Sequence, residues 1–481
     1  MFAEGAFSQA FIPVYSKTLT AEGQEAADQL AGEALSVLLV ITTVLSGLAI
    51  LAMPWINRLL FAGYADDPAT FNLATTLTQI TMVYLICMTV ATLFSSVLNA
   101  RGKFFVAAAA PILLNLSLLV GVWPFRNDPQ VAAYAAAISV SASGLLQALW
   151  VWLGAKRAGA GGKLTAPRIT AGVKRLAALA IPGAIAGGAL QINVLVSQAL
   201  ASFEQGAITY LNVADRLYQL PLGLIGIAVG VAMLPRLSRL VQEGDAVGAR
   251  SALDEAVALS MAFTLPAAAA ILAVPYFMID GLYARGAFSA EDARNVSLAL
   301  VHYGWGVPAF VLAKIYAPAF FAREDTKGPM RYAITSMVLN IVLGAALFFG
   351  LRQLGVYGFP GLAIATSTAA WFNVLLMIRS LVKSGAYGPT PAAFARLARI
   401  FLASAILYAA MWFANANRPA LEAALGTKEA AILAVILVGG TFYFAVAFLV
   451  RAVTLREVRT AFKRERGPQG GGGGLPPSLD G

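Results

Sequence analysis

Apolar stretches long enough to cross a bilayer recur along this whole chain, and no other feature restricts its fold so strongly. A hydrocarbon core ~30 Å thick needs about 20 helical residues. Runs near 34–60, 71–98, 104–123, 131–154, 176–200, 206–232, 256–283, 296–321, 329–350, 358–382, 394–414 and 429–450 reach that length, and a short amphipathic segment at 2–16 precedes them. In lipid every backbone N–H and C=O must find its partner within the protein, which leaves helices or closed barrels. The ~10-residue alternating segments of a barrel are nowhere visible. The expected fold is therefore an all-α polytopic membrane protein. Composition agrees: 59% of the residues are hydrophobic and 12% charged, with a mean hydropathy of +0.74. That excludes the soluble domains a chain of 481 residues would otherwise suggest.

A net charge of +10 raises the question of nucleic acid, which the placement of the cations answers. Counted along alternating loops, one side holds Lys17, Arg101, Lys103, the cluster from Lys156 to Arg175, Arg236, Arg239, Arg250, Arg323, Lys327, Arg331, Arg379, Lys383, Arg396, Arg399 and the segment Arg451 to Arg466. The opposite side holds only Arg58, Arg126, Arg285, Arg294, Arg352, Arg418 and Lys428. This is the positive-inside bias, and it predicts no nucleic-acid partner. Cys87 is the single cysteine, so no disulfide or cysteine-based metal site forms within one chain.

The chain also repeats itself. Pro13 and Ser16 recur as Pro235 and Ser238, and Arg101, Lys103 and Asn115 recur as Arg323, Lys327 and Asn340, at an offset of about 222 to 225 residues. LAMPWINRLLFAG (51–63) likewise matches LAVPYFMIDGLYARG (272–286). Shifted back by that offset, the apolar stretch from Leu179 to Gly223 falls before Met1, so the first copy is expected to lack its first helix. The division that follows is a first lobe at 1–158, a basic cytoplasmic linker at 159–175, a second lobe at 176–384, two extra helices at 385–453 without a counterpart in either lobe, and a disordered cytoplasmic tail at 454–481. Both copies have the same orientation by charge, which makes them parallel repeats of a six-helix lobe, the first incomplete. Two related bundles point to transport, because one can rock against the other about a central site.

Arg216 and Lys314 fall within the spans rather than the loops. A charge at the bilayer centre costs ~2.5–3.5 kcal/mol on the insertion scale and normally faces a cavity or a partner. Asp215 precedes Arg216, but neighbours on a helix point ~100° apart and pair poorly. Lys314 is nine residues from Arg323, about 13 Å along a helix, so snorkelling along its stem competes with a cavity role. His302, the one histidine, reads as a packing or capping residue, and Asp66 and Asp67 as solvated loop acids. Pro182, Pro221, Pro266, Pro275, Pro308 and Pro318 read as kinks, and Asn115 and Asn340 as hydrogen-bonding groups between helices.

FAEGAFSQAFIPVYS (2–16), LNARGKF (98–104), ADRLYQLPLGLIGIAVGVAMLPRLS (214–238), LYARGAF (282–288) and KIYAPAFFAREDTKGP (314–329) closely resemble the MurJ (MviN) family of lipid II flippases. The resemblance covers essentially the whole chain. It implies a multi-pass protein of the bacterial inner membrane with the multidrug/oligosaccharidyl-lipid/polysaccharide exporter type of fold, two lobes around a cationic cavity plus two C-terminal helices lining a groove for a polyprenyl tail. It also implies the substrate, lipid II (an undecaprenyl diphosphate-linked disaccharide-pentapeptide), moved from the cytoplasmic to the periplasmic leaflet, with membrane lipids and cell-wall synthesis proteins as further partners. One essential family arginine corresponds to Arg216. Others precede FAEGAF and have no matching position here, as expected for a chain truncated at its N-terminus. The substrate-binding candidates are Arg216, Lys314, Asp215, Glu4, Arg101 and Arg323, with no catalytic residue, metal or cofactor expected.

The chemistry of such a substrate fits these residues. A pyrophosphate calls for cations, and guanidinium offers a planar, permanently charged fork. No GxxxxGK[ST] string is present, which argues against ATP hydrolysis and leaves the membrane potential as an expected driving force, at ~2.3 kcal/mol per charge per 100 mV. The alternatives within the fold are a flippase for another polyprenyl-linked oligosaccharide or a small-molecule exporter. An intramembrane enzyme of polyprenyl phosphate metabolism would need clustered acids, and apart from Asp215 the spans hold almost no carboxylates.

Overall fold

The structure, a computed structural model, describes residues 2–160, 165–223 and 227–453, excluding the side chains of 2–6, 9, 182–187, 189–190, 227–232 and 234–235. All regular structure among the described residues is helical. The helices form two compact units, Met1–Gln205 and Gly206–Gly481. Unit one contains α1 (Phe2–Ala21), α2 (Gln24–Leu60), α3 (Pro68–Thr81), α4 (Val83–Ala100), α5 (Phe104–Val122), α6 (Pro129–Arg157) and α7 (Ala171–Ala201). Unit two contains α8 (Ala207–Pro221), α9 (Ile227–Gln242), α10 (Ala246–Ala273), α11 (Pro275–Tyr283), α12 (Ala290–Gly304), α13 (Val307–Phe321), α14 (Lys327–Gln353), α15 (Phe359–Lys383), α16 (Pro391–Ala416), α17 (Arg418–Leu425) and α18 (Lys428–Leu449).

Among the described residues ten helical stretches are long and apolar enough to span a membrane. They coincide with ten of the twelve expected runs; the other two fall on α7 and on α8 with α9. The segment expected as a short remnant at 2–16 belongs to the 20-residue α1. The tail expected at 454–481 lies outside the described residues.

The outer surfaces of these helices are apolar. Val44, Leu48, Leu51 and Leu59 on α2, Leu116, Leu119 and Val120 on α5, and Leu433 and Leu437 on α18 are all exposed. In water such surfaces would drive association, whereas lipid tails solvate them. Packing inside each unit is close. Phe11, Tyr15, Leu30, Leu93, Phe94, Leu98 and Val151 centre unit one. Leu237, Leu253, Val257, Ile315, Tyr316, Phe320 and Met377 form one core of unit two. A second core, with Phe277, Ile400, Leu407, Ile432 and Tyr443, attaches α16 and α18 to α10 and α11.

The boundary between units falls after α7, where the repeat by itself places it before that helix. Leu176 of α7 joins the unit-one core. The Thr170 hydroxyl accepts the Val173 N–H at the N-terminus of α7 and donates to Glu33 Oε2 of α2 at 2.7 Å. In unit two the arrangement recurs: Thr390 caps α16 and donates to Asp254 Oδ2 of α10 at 2.8 Å. A capping hydroxyl tied to a carboxylate fixes where each helix starts, so α16 has a local counterpart in α7.

Proline sets the breaks. Val274 leaves the helical region (φ −131°, ψ 42°) just before Pro275, which opens α11. Pro308 stands in the first turn of α13, and α15 satisfies carbonyls at the preceding break. Ser367 Oγ donates to the His302 carbonyl at 2.6 Å and the Trp371 indole to the Trp305 carbonyl at 3.0 Å. Pro266 and Pro318 are accommodated inside helices, Pro221 ends α8, and the side chain of Pro182 lies outside the described set. Freed backbone groups are tolerated in a membrane only when neighbours re-satisfy them in this way.

Candidate functional site

The polar face of α8 carries the candidate site. Ala207, Leu211, Ala214, Leu217 and Tyr218 point into unit two and are buried. Thr209, Asn212, Arg216 and Gln219 are exposed on the opposite face, at the 3–4-residue spacing of one helical stripe. A stripe of amide, hydroxyl and guanidinium groups is unsuited to lipid tails and belongs against water, a ligand or polar protein. Arg216 stands at its centre and makes no hydrogen bond or ion pair among the described residues.

Asp215 does not neutralise Arg216 by direct pairing. Its carboxylate accepts from Gln219 Nε2 one turn on, so its influence on Arg216 is that of a neighbouring charge. Tyr218 stands 4.8 Å from the Tyr303 ring of α12 and 5.1 Å from Phe310 of α13 by centroid. These aromatic contacts bind α8 to the α12–α13 break and set the rotation of its polar face.

Lys314 occupies an unusual position on α13. Val311, Leu312, Ile315, Tyr316, Pro318, Ala319 and Phe320 are buried, yet Lys314 is exposed. Phe310, Ala313, Ala317 and Phe321 are the other residues of this segment that escape full burial, and with Lys314 they trace one face. Phe310, one turn before Lys314, is the residue that stacks on Tyr218. Arg216 and Lys314 are thus both uncommitted cations on helices of unit two.

The remaining candidates do not join them. Arg101, which follows α4, lies in unit one with all three guanidinium nitrogens engaged: Nε donates to Tyr15 Oη at 2.9 Å, Nη1 to the Ala158 carbonyl at 3.1 Å and Nη2 to Asp28 Oδ1 at 2.9 Å. It clamps α1, α2 and α6 to the end of α4, which leaves it no fork for a phosphate. Arg323, its repeat counterpart, donates to the Ala319 carbonyl at 2.7 Å and the Ala386 carbonyl at 3.0 Å. Burial draws its guanidinium below the usual value, and it too acts as a loop clamp. The Glu4 side chain lies outside the described residues.

Two buried acids outside this set are easy to overlook in the sequence. Asp254 accepts from Tyr387 Oη at 2.7 Å and from the Thr390 hydroxyl at 2.8 Å; burial, with the neighbouring Tyr316 and Asp254, pushes the Tyr387 hydroxyl well above its usual range. Asp280 of α11 is met by Arg418 and, at 3.5 Å, by Lys428. In the outer loop Asp66 and Asp67 are exposed, as the solvated reading expects, and Asp67 also caps α3 through the Ala69 and Thr70 N–H groups. Hydrogen bonds from the Thr70 hydroxyl and N–H hold its carboxyl below the ordinary range. Asn340 bonds Thr366 across α14 and α15 at 3.5 Å, as a helix-bridging asparagine should, whereas its repeat partner Asn115 is exposed.

Comparison with known proteins places the helical fold in a known family. The family described as "Lipid II flippase MurJ" matches residues 1–421. A probable lipid II flippase MurJ of Rhizobium meliloti is 38% identical over 471 residues, covering 96% of this chain and 87% of that protein. Its counterpart in Vibrio cholerae is 32% identical over 476 residues, covering 96% and 88%. Among solved structures, a lipid II flippase MurJ in an inward closed conformation superposes with a TM-score of 0.76 at 25% identity, covering 94% of this chain and 89% of that one. An inward-facing multidrug resistance MATE transporter of the MOP superfamily gives 0.65 at 14% identity over 85% and 87% of the two chains, a likeness of fold alone. With ten helices able to cross a membrane among the described residues, the chain is a multi-pass membrane protein of the transporter type, and it belongs to the lipid II flippase MurJ family.

Proposed function

We propose that this protein carries lipid II from the cytoplasmic to the periplasmic leaflet of the inner membrane by alternating access, without covalent chemistry. Membership of the family carries the reading, and the polar face of α8 supplies the means: Arg216 holds the pyrophosphate with its planar fork, and Lys314 adds a second cation. Asp215, bonded to Gln219, places an acidic group beside Arg216 and limits how tightly an anion is retained. Weak retention favours release on the far side. The half-buried Asp28 and the buried Asp254 and Asp280 are each occupied by donors from their own unit.

The test is complementation of a flippase-depleted strain, with lipid II translocation followed in parallel. Losing one partner of a desolvated charged hydrogen bond costs about 2–5 kcal/mol. Arg216→Ala is therefore expected to reduce translocation by at least thirty-fold while membrane insertion is unchanged, and Arg216→Lys, which keeps the charge and loses the fork, to fall between. Normal growth and transport by Arg216→Ala would refute the role of Arg216. Transport of an undecaprenyl-linked O-antigen unit in place of lipid II would refute the substrate.

A further inference from the structure

A cavity of about 360 Å³ opens in unit one where the C-terminal ends of α4 and α6 meet the start of α5, walled by Leu98, Val106, Trp150, Leu153, Lys103 and Arg157. The Trp150 indole N–H donates to the Val106 carbonyl at 2.9 Å, which fixes the ring as one wall. Gly154 allows α5 to approach α6 closely, since a Cβ there would stand 2.6 Å from Val106 Cγ1. Lys103 and Arg157 are exposed at the rim. Unlike Arg101 nearby, neither makes a hydrogen bond or ion pair through its side chain among the described residues.

The surroundings are those of a lipid-facing surface. Only 6% of the apolar stretch containing α5 is buried, and Phe104 and Phe105 at its start are 64% and 80% exposed. The charge bias of the loops puts this end of the bundle at the cytoplasmic face. Two uncommitted cations above an apolar slot bounded by an interfacial tryptophan match an amphiphile with an anionic head.

We propose that this crevice binds an anionic phospholipid of the cytoplasmic leaflet, with Lys103 and Arg157 on the headgroup phosphate and the upper acyl chain against Leu98, Val106, Leu153 and the Trp150 ring. The site is built from unit one and does not use Arg216 or Lys314, so it stands apart from the transport reading. Such a lipid neutralises two cations at the membrane surface and packs α4, α5 and α6 together at that end.

Titration of the purified full-length protein in detergent with phosphatidylglycerol, phosphatidylcholine or inorganic phosphate, read by native mass spectrometry, tests this. Phosphatidylglycerol should be retained selectively, and Lys103→Ala with Arg157→Ala should weaken its binding by about tenfold or more, given what each surface cation contributes to anionic-lipid attraction. A second readout uses phosphatidylglycerol brominated on its acyl chain: it should quench a component of the tryptophan fluorescence that Trp150→Phe removes, in the otherwise unchanged chain. Equal retention by the double variant, equal retention or quenching with phosphatidylcholine, or no loss of quenching in Trp150→Phe would overturn the proposal. Displacement by millimolar inorganic phosphate would assign the cations to a free anion and overturn it as well.

Discussion

Asp280 shows how a single residue organises one end of unit two. It is 7% exposed, and Arg418 and Lys428, from the starts of α17 and α18, converge on it. Arg418 also bonds Glu422 at 2.6 Å and lies 4.7 Å from the Phe277 ring centroid. Burial works against its charge, but the Glu422 and Asp280 carboxylates outweigh that and raise its affinity for the proton. Asp280→Asn leaves two cations facing a neutral amide, and removing one partner of a buried ion pair costs about 3–5 kcal/mol. We expect a correspondingly lower thermal midpoint in detergent. Replacing the group with apolar residues of similar size, Asp280→Leu with Arg418→Met and Lys428→Met, should recover most of the loss. An unchanged midpoint for Asp280→Asn would show that the cluster adds nothing to stability. In the sequence Arg418 and Lys428 register only as outer-loop charges, because their partner lies more than a hundred residues away.

Helix ends and breaks are more legible. Pro275 and Pro308 mark where α11 and α13 begin, since proline lacks the N–H and restricts the residue before it. Left open by the sequence is what satisfies the break: Ser367 and Trp371 on α15 do so, and Gly306 makes room for Ser367. A Cβ on Gly306 would stand 2.8 Å from Ser367 Cβ and 3.1 Å from its Cα. Gly306→Ala should therefore destabilise the protein by about 1–3 kcal/mol through overpacking, seen as a lower melting temperature and faster proteolysis at the α12–α13 junction. Adding Ser367→Gly relieves the clash but removes a hydrogen bond, so only partial rescue is expected. Full stability of Gly306→Ala alone would mean that the close approach is not required. The shared caps of α7 and α16 were equally hidden, because an N-cap threonine is visible in sequence while its carboxylate partner, Glu33 or Asp254, is not.

For the molecule as a whole, the direction of transport and the sign of the substrate set a further expectation. An anionic headgroup moving outward travels toward the positive side of an energised inner membrane, and each charge crossing the full field gains ~2.3 kcal/mol per 100 mV. Collapsing the potential with valinomycin and potassium should slow translocation several-fold at constant protein level; an unchanged rate would rule out this coupling. The sequence by itself determined the class of the molecule. Hydrophobic length, loop charge and the internal repeat are properties of local segments, and a bilayer imposes them one helix at a time. The polar spacing of Thr209, Asn212, Arg216 and Gln219 is local in the same sense. Tertiary structure decided which charges are free. Arg101 and Arg216 are both plausible phosphate ligands in sequence, yet Arg101 is engaged by Tyr15, Asp28 and Ala158, and Arg216 stands on an exposed polar face. A guanidinium's availability depends on groups brought to it from distant parts of the chain, and only helix packing brings them together.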